Sequence, residues 1–164
     1  WNNQDVALVN ASGNGEIHNL TESGYTDTNA KWVLDGKAMI WYSDRAGYRS
    51  HGSWGAEADV YIMFFDLDAY ERFRMNKEEL AVIDESKKKE EDKEKKDEKT
   101  GKKKDDKKDT KKDEKKEEVK PLVFDLENCR DRIVRLTVNS SHLGDAVLTP
   151  KGDKLYYKAA FEGG

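Results

Sequence analysis

The sequence has a single cysteine, Cys129, and no long run of apolar residues. One cysteine cannot form a disulfide framework or a cysteine-rich zinc site within the chain. No apolar run approaches the roughly 20 residues that span a bilayer, so we expect no membrane span. The chain begins at Trp1 and has no basic-then-apolar leader, so we expect an excised or processed piece.

The chain also has little excess of either charge. Its 164 residues include 30 Lys and Arg and 34 Asp and Glu, which gives a net charge of -4. This mild acidity argues against nucleic acid as the main partner. Charged residues make up 39% of the chain and hydrophobic ones 35%, a balance close to that of disordered proteins. A single block causes this high charged fraction, since 31 of the 35 residues from Asp84 to Glu118 are charged.

The charged block is predicted to be a solvated, disordered tether. It has no apolar residue to bury, so nothing offsets an ordering entropy of roughly 1–2 kcal/mol per residue. The alternative is an electrostatic docking arm, but such arms usually carry one sign, and the block mixes 16 Lys with 15 acidic residues. The block therefore divides the chain into residues 1–83, an insertion over 84–118, and residues 119–164.

Both flanks of the block carry the short apolar runs and turn residues of antiparallel β-structure. Asp35-Gly36 lies between two such runs, and Asp-Gly in this setting is a strong hairpin signal. The predicted strands are Asp5–Asn10, Glu16–Thr21, Ala30–Leu34, Ala38–Asp44, Asp59–Asp66, Val123–Leu126, Arg132–Thr137, Asp145–Thr149 and Lys154–Phe161.

Helix is predicted only around two capping-box patterns, Asp68 with Glu71 and Asn76 with Glu79. The first predicts a short helix near Ala69 to Arg74. The second predicts a helix from Lys77 past Ile83 that frays into the charged block.

The chain also contains an internal repeat at an offset of 116 residues. At this offset five residues recur, namely Ile17, Leu20, Thr21, Gly36 and Gly47, which fall on Ile133, Leu136, Thr137, Gly152 and Gly163. Repeated short antiparallel strands with a glycine hairpin are typical of β-propeller blades. We therefore expect Gly36 and Gly152 to share a hairpin position with positive φ.

The fold class predicted from this repeat is all-β, a partial β-propeller of antiparallel four-stranded blades with a short helix and a long charged insertion. The first two strands form the outer half of one blade, the last two the inner half of another. The complete blade between them consists of Ala30–Leu34, Ala38–Asp44, Asp59–Phe65 and Arg132–Thr137, and the insertion separates its third and fourth strands. Trp41 and Tyr157 should lie on inner-half strands, with both rings packed against a neighbouring sheet.

Several segments resemble a known family. Leu20-Thr21, Lys31-Trp-Val-Leu-Asp-Gly-Lys37 and Trp41-Tyr-Ser-Asp-Arg-Ala-Gly47 resemble the blade motif of tricorn- and TolB-type propellers. More specifically, three longer stretches resemble the propeller of bacterial tricorn-like serine peptidases, namely Arg49–Gly55, Ala69–Arg74 and Leu143–Pro150. The second copy departs from the motif, with Leu148 at the Trp position and Ala160-Phe161-Glu162-Gly163 in place of Ser-Asp-Arg-Ala-Gly.

The resemblance implies a non-catalytic propeller segment of a serine protease, one that guides or filters peptides toward a protease domain outside this chain. Its implied partners are peptides or unfolded polypeptide, the remaining propeller and protease domains, and further copies in a homo-oligomer. The alternative is a TolB-like propeller that binds proteins and belongs to no enzyme; a third reading is a peptidase of another clan with a propeller lid. By family analogy the protein is periplasmic or secreted, with the cytoplasm as the alternative.

The residues themselves predict no catalytic, cofactor-binding or metal site in this chain. His51 and Ser53 lie close together in sequence, as in some nucleophile sites, but the Gly-x-Ser-x-Gly elbow is absent. We therefore expect an ordinary blade loop here. The histidines are scattered, and zinc needs converging ligands. Asp66 and Asp68 are expected to cap a helix rather than bind metal.

Three further features receive structural interpretations. Asp44-Arg45 is expected to form a pair that braces a turn. The four tryptophans are expected to pack between blades rather than line a surface pocket, and they are Trp1, Trp32, Trp41 and Trp54. Cys129 lies in a Glu-Asn-Cys-Arg turn without a nearby histidine and is interpreted as an incidental thiol.

Overall fold

The computed structural model describes residues 3–50, 55–86, 122 and 124–160. Most of the predicted tether, from residue 87 onward, therefore lies outside the described residues. The strands are β1 (Ala7–Leu8), β2 (His18–Asn19), β3 (Asp27–Val33), β4 (Ala38–Ser43), β5 (Asp59–Phe64), β6 (Ile133–Arg135), β7 (His142–Leu148) and β8 (Leu155–Ala160). Helix α1 spans Leu67–Arg74, and residues 77–86 form a second helix, α2.

The strands form three antiparallel sheets. β3, β4, β5 and β6 make a four-stranded sheet in that order, β1 pairs with β2, and β7 pairs with β8. These are the strand groups that the repeat predicts, and the described residues form mostly strands in antiparallel sheets, consistent with the all-β class. The chain passes from β5 to β6 through α1, α2 and the charged block.

One predicted strand is wrong and three are shorter than expected, among them β6, which keeps Ile133–Arg135 of the run Arg132–Thr137. The strand predicted over Val123–Leu126 is absent from the described residues: Leu126 and the two residues after it form a turn, and Val123 lies outside the described residues. The side chain of Asp125 causes the turn, because its Oδ1 accepts the Asn128 N–H at 3.1 Å and so competes with a strand partner. β1 and β2 retain two residues each of the runs Asp5–Asn10 and Glu16–Thr21.

The two helix starts have different outcomes. The capping box of Asn76 and Glu79 is confirmed, since Asn76 Oδ1 accepts the Glu79 N–H and Glu79 Oε2 accepts the Asn76 N–H, both at 2.9 Å. The box proposed for Asp68 is wrong, because Asp66 Oδ1 accepts the Ala69 N–H at 2.7 Å and α1 begins at Leu67. No helix within the described residues is long and apolar enough to cross a membrane.

The two central strands of the four-stranded sheet, β4 and β5, are buried on both faces, which explains their nearly continuous apolar sequences. Alternate residues point to opposite faces of a strand. Met39, Trp41, Tyr61, Met63 and Phe65 pack on one face with Val6, Leu20 and Cys129. Ile40, Tyr42, Val60, Ile62 and Phe64 pack on the other with Ala146, Leu148 and α1. The two small sheets therefore lie against opposite faces of the large one.

The glycine prediction is confirmed, with φ of +83° at Gly36 and +74° at Gly152. The β3–β4 turn runs from Leu34 to Lys37, between the paired residues Val33 and Ala38. Leu34 and Asp35 also have positive φ, at +52° and +54°. The turn is therefore a left-handed run of three residues, of which glycine is the one that adopts this conformation without strain.

The repeat is visible in the pairing of β3 with β4 and of β7 with β8. Trp32 pairs with Met39, and 116 residues later Leu148 pairs with Leu155. Both hairpins also change register toward their open ends, between Thr28 and Lys31 in the first and between Leu143 and Ala146 in the second.

The pairs β1–β2 and β5–β6 also repeat one another, and they do so bond by bond. Val6 N–H donates to Thr21 Oγ1 at 3.1 Å and Leu20 N–H to Val6 O at 2.8 Å. The corresponding bonds are Val60 N–H to Thr137 Oγ1 at 3.2 Å and Leu136 N–H to Val60 O at 2.8 Å. In each pair the threonine hydroxyl donates to the aspartate that precedes the valine, Asp5 or Asp59.

Candidate functional site

An open cleft of about 530 Å³ lies where β3 and β7 begin and β4 ends. Residues of the loop between β4 and β5, from Arg49 to Ala58, also contribute to its wall. Its lining is mixed polar and apolar, and it includes Thr26, Thr28, Asn29, Tyr42, Asp44, Arg49, Ala56, Ala58, His142 and Leu143.

The β3 wall of the cleft is irregular. Asn29 has φ of +56° and lies inside the register shift between Thr28 and Lys31. Such bulges bend a strand and interrupt its ladder. β3 is an edge of its sheet, so this irregular backbone faces the cleft without a strand beyond it among the described residues.

Tyr42 joins the cleft wall on β4 to the wall on β7. Its hydroxyl donates to Gly144 O at 2.5 Å. Burial raises the pKa of Tyr42 above its ordinary value, so the hydroxyl stays protonated and remains a donor. Ala58 and Ser141 exchange backbone hydrogen bonds beside it, at 2.8 Å and 3.1 Å. The two sheets that form the cleft are therefore joined by direct bonds.

Arg49 provides the cleft with a partly exposed cation. Its Nε lies 3.2 Å from Asp44 Oδ2, and its guanidinium lies 5.4 Å from the centre of the Tyr25 ring. Asp44 is buried and also accepts the Thr26 N–H at 2.9 Å. The predicted Asp44–Arg45 pair is therefore wrong, because Asp44 faces the cleft and binds Arg49 instead.

Arg45 turns to the opposite side and binds Asp27. The two side chains are 3.4 Å apart, and the Arg45 guanidinium lies 4.8 Å from the centre of the Tyr61 ring. Asp27 is buried and also accepts hydrogen bonds from Trp41 Nε1, at 3.2 Å, and from the Ser23 hydroxyl. Burial, and then the nearby Asp59 charge, raise the pKa of Tyr61. This cluster ties β3, β4 and the chain before β3 together.

Another buried carboxylate, Asp59, is surrounded by donors from β6 and the residues after it. It accepts hydrogen bonds from Arg135 Nη2 at 2.8 Å, the Thr137 hydroxyl at 2.6 Å and the Ser140 hydroxyl at 2.8 Å. A buried carboxylate with this many donors is fully paired. We therefore assign Asp59 a structural role at the β5–β6 junction.

The tryptophans within the described residues lie on the four-stranded sheet. Trp41 is 1% exposed, stacks on Tyr61 with ring centres 5.8 Å apart, and faces β1–β2, as predicted. Trp32 contacts Phe65 and Phe124 but is 47% exposed. Tyr157 lies on β8 but is 39% exposed, so its predicted burial is wrong. In the described residues β8 pairs only with β7, whereas β4 is flanked on both edges.

Cys129 is a packing residue. Its thiol is buried with Val6 and Leu20, and burial raises its pKa. A protonated, enclosed thiol is a poor nucleophile. The candidate site residues His51 and Ser53, the tryptophans Trp1 and Trp54, and Gly163 of the repeat lie outside the described residues.

The described residues provide binding groups and not a nucleophile with its base. Within residues 3–50, 55–86 and 124–160, no hydrogen bond joins a histidine to a hydroxyl or thiol, and no three potential ligands cluster in a way that could hold a metal ion. His142 lies at the rim of the cleft and His18 lies on β2. The lining of the cleft combines the Arg49–Asp44 ion pair with uncharged polar residues and the apolar side chain of Leu143.

Sequence reasoning missed the cleft and both buried carboxylate clusters. The Asp-Val dipeptide recurs at Asp5-Val6 and Asp59-Val60, and Leu-Thr recurs at Leu20-Thr21 and Leu136-Thr137. The two recurring dipeptides are the signal that could have located the Thr137–Asp59 hydrogen bond, because the same dipeptides carry the Thr21–Asp5 bond. No sequence signal locates the cleft, whose lining comes from five separate segments.

No protein-family model, no curated protein and no solved structure matches this chain.

Proposed function

We propose that this chain is a non-catalytic β-propeller segment that guides peptides or unfolded polypeptide toward a protease domain outside it. The support for a propeller is the repetition of two half-sheets in one register. Each small sheet faces the large one, and the bonds of β1–β2 recur in β5–β6. Blades of a propeller repeat in this way around an axis.

The observation that supports peptide binding is the cleft at the irregular edge of β3. Extended peptides bind exposed strand edges through backbone hydrogen bonds, and pockets for alternate side chains add selectivity. The cleft combines such an edge with an apolar residue, Leu143, and the partly exposed Arg49. Its volume of about 530 Å³ lies in the usual range for ligand pockets.

The test uses the full chain and a fluorescein-labelled, carboxymethylated unfolded protein, with binding followed by fluorescence anisotropy. Arg49→Ala should weaken binding about fivefold or more, a loss of roughly 1 kcal/mol. The matched control is Arg130→Ala, because Arg130 also forms an ion pair, with Glu22, but does not line the cleft. Equal binding by both variants, or no binding by the unaltered chain, would refute peptide recognition at this cleft.

A second measurement addresses the role of the segment in proteolysis. The chain alone should leave the labelled polypeptide uncleaved. Cleavage that disappears in Ser53→Ala would refute the non-catalytic role. A gene that encodes no protease domain with this segment would favour a TolB-like interaction module.

A further inference from the structure

The connection between β1 and β2 contains the one Asn-Gly pair of the sequence, Asn14-Gly15. In such a pair the side-chain amide of the asparagine lies within reach of the backbone nitrogen of the next residue. Glycine has no Cβ to hinder this approach, and its backbone adopts more conformations than that of any other residue. A five-membered ring can therefore close between Asn14 Cγ and Gly15 N.

The first part of this connection is a turn held by another asparagine, Asn10. Its Oδ1 accepts the Ser12 N–H and the Ser12 hydroxyl, both at 3.0 Å, and its backbone oxygen accepts the Gly13 N–H at 2.9 Å. An asparagine side chain that bonds to nearby backbone in this way is held in one orientation. Asn10 also precedes Ala11, whose Cβ hinders ring closure.

Asn14 and Gly15 lie beyond this turn, and both are exposed. In the part of the chain that the structure describes, the Asn14 side chain and the Gly15 N–H make no hydrogen bond. Gly15 has φ of +140°, and a Cβ built there would lie 3.8 Å from the nearest atom, Asn10 Cβ. The fold therefore leaves both reacting groups unbonded and in open surroundings.

The remaining asparagines among the described residues lack one or both of these features. Three hold their side chains in hydrogen bonds, namely Asn19, Asn76 and Asn128. Three precede a residue that has a Cβ, namely Asn3, Asn29 and Asn139. Within the described part of the chain, Asn14 is the asparagine that combines an unbonded side chain with a following glycine.

We propose that Asn14 is a site of spontaneous deamidation, at which the folded chain converts asparagine into aspartate and isoaspartate. Gly15 N gives its proton to hydroxide and attacks Asn14 Cγ. The new bond forms as the bond from Cγ to Nδ2 breaks, and the amide nitrogen takes a proton from water and leaves as ammonia. Water then opens the succinimide ring. Opening at Cγ gives aspartate, and opening at the Asn14 backbone carbonyl gives isoaspartate.

Both products replace a neutral amide with a carboxylate beside Glu16, so the chain becomes one unit more negative. Isoaspartate also adds a methylene to the main chain of the connection. The bonds of Val6 with Leu20 and Thr21 lie outside this connection, so we expect the strand pairing to persist. The inference rests on the Asn14-Gly15 segment and not on the proposed peptide-guiding function.

The experiment incubates the full chain at several pH values and follows its peptides by fragmentation mass spectrometry. Asn14 should gain one mass unit, and faster at higher pH, because the attacking nitrogen must lose its proton. A protein isoaspartate methyltransferase should then label the product. Asn10 is the matched control in the same connection. Its gain, and the gain at Asn14 in Gly15→Ala, should be at least about tenfold slower, because alanine follows each asparagine.

An unchanged mass at Asn14, an equal gain at Asn10 or an unchanged rate in Gly15→Ala would overturn the proposal. If Gly15→Ala loses its circular dichroism signal, the unaltered chain decides. A segment that the fold leaves unprotected should react within about tenfold of its rate in the chain unfolded by guanidinium chloride. A slower reaction than this in the folded chain would show that the fold protects Asn14, and would also overturn the proposal.

Discussion

The four-stranded sheet and the two small sheets share a hydrogen-bond pattern but differ in burial. Trp41 is 1% exposed, while Tyr157, its counterpart in β8, is 39% exposed. Asp59 is fully buried, while Asp5, which holds the same place in β1, is exposed. The comparison shows that local pairing sets the backbone of each half-sheet, and that the neighbouring sheets decide what each side chain contributes to stability.

The largest difference in stability loss between the two regions should come from the aligned aromatic residues Trp41 and Tyr157. Trp41→Ala should lower the free energy of unfolding by about 3–5 kcal/mol, because it leaves a cavity in the core. Tyr157→Ala should cost about 1 kcal/mol, the usual loss for a partly exposed residue. Urea denaturation at low protein concentration measures both. Equal losses would mean that the two half-sheets are packed to the same extent.

The aspartates should show the next largest difference. Asp59→Ala removes the acceptor of three donors and leaves the Arg135 charge without its partner, so we expect a loss of about 3 kcal/mol or more. Asp5→Ala removes bonds that water can replace and should cost less than about 1 kcal/mol. Thermal and urea unfolding of both variants would measure the ratio, and a larger loss at Asp5 would contradict it.

The hairpin glycines allow a closer comparison of the two repeats. A Cβ at Gly36 would lie 2.7 Å from Leu122 Cδ1, and one at Gly152 would lie 3.1 Å from Leu34 Cδ2. Both have positive φ, where a Cβ costs on the order of 1–2 kcal/mol. We expect Gly36→Val to cost more than Gly152→Val. Gly13→Val is the control for strain alone, because Gly13 has φ of +73° and open space around it.

The smallest effect should be the pH dependence of the contribution that Asp5 makes to stability. Hydrogen bonds from the Asn19 side chain and the Ser23 N–H lower the pKa of Asp5 below 3.8. A carboxyl whose pKa is lower in the folded state stabilises the protein at pH values above its pKa in the unfolded state. This stabilisation is lost as the pH falls through its pKa in the folded state. The stability difference between the unaltered chain and Asp5→Asn should therefore shrink in acid. A difference that grows below pH 3.8 would contradict the assigned bonds.

Much of the strand arrangement could be predicted from the sequence. The grouping into an outer pair, a four-stranded sheet and an inner pair followed from the offset between Gly36 and Gly152 and from the turn residues that end each run. The predicted strand at Val123–Leu126 was wrong because the Asp125 side chain satisfies the next backbone amides locally. Short polar side chains that bond to nearby backbone compete with strand pairing, and apolar patterns do not reveal this.

The ion pairs could not be predicted from the sequence. Adjacent residues such as Asp44 and Arg45 point to opposite faces of an extended segment, so proximity in sequence gave the wrong partner. Arg45 binds Asp27, the first residue of β3, and Asp44 binds Arg49 in the loop after β4. The cleft depends on the same assembly, because its walls come from β3, β4, β7 and the loop between β4 and β5.

The sequence by itself determined the repeat, the hairpin glycines and the alternation that gives each strand two apolar faces, because these depend on local backbone conformation and on spacing. Tertiary structure alone decided which copy of each repeated residue is buried, since burial requires a neighbouring sheet. It also decided the pairing of Asp27 with Arg45 and of Asp44 with Arg49, because several charges lie near one another in this part of the sequence and only packing selects which of them come within a few ångströms.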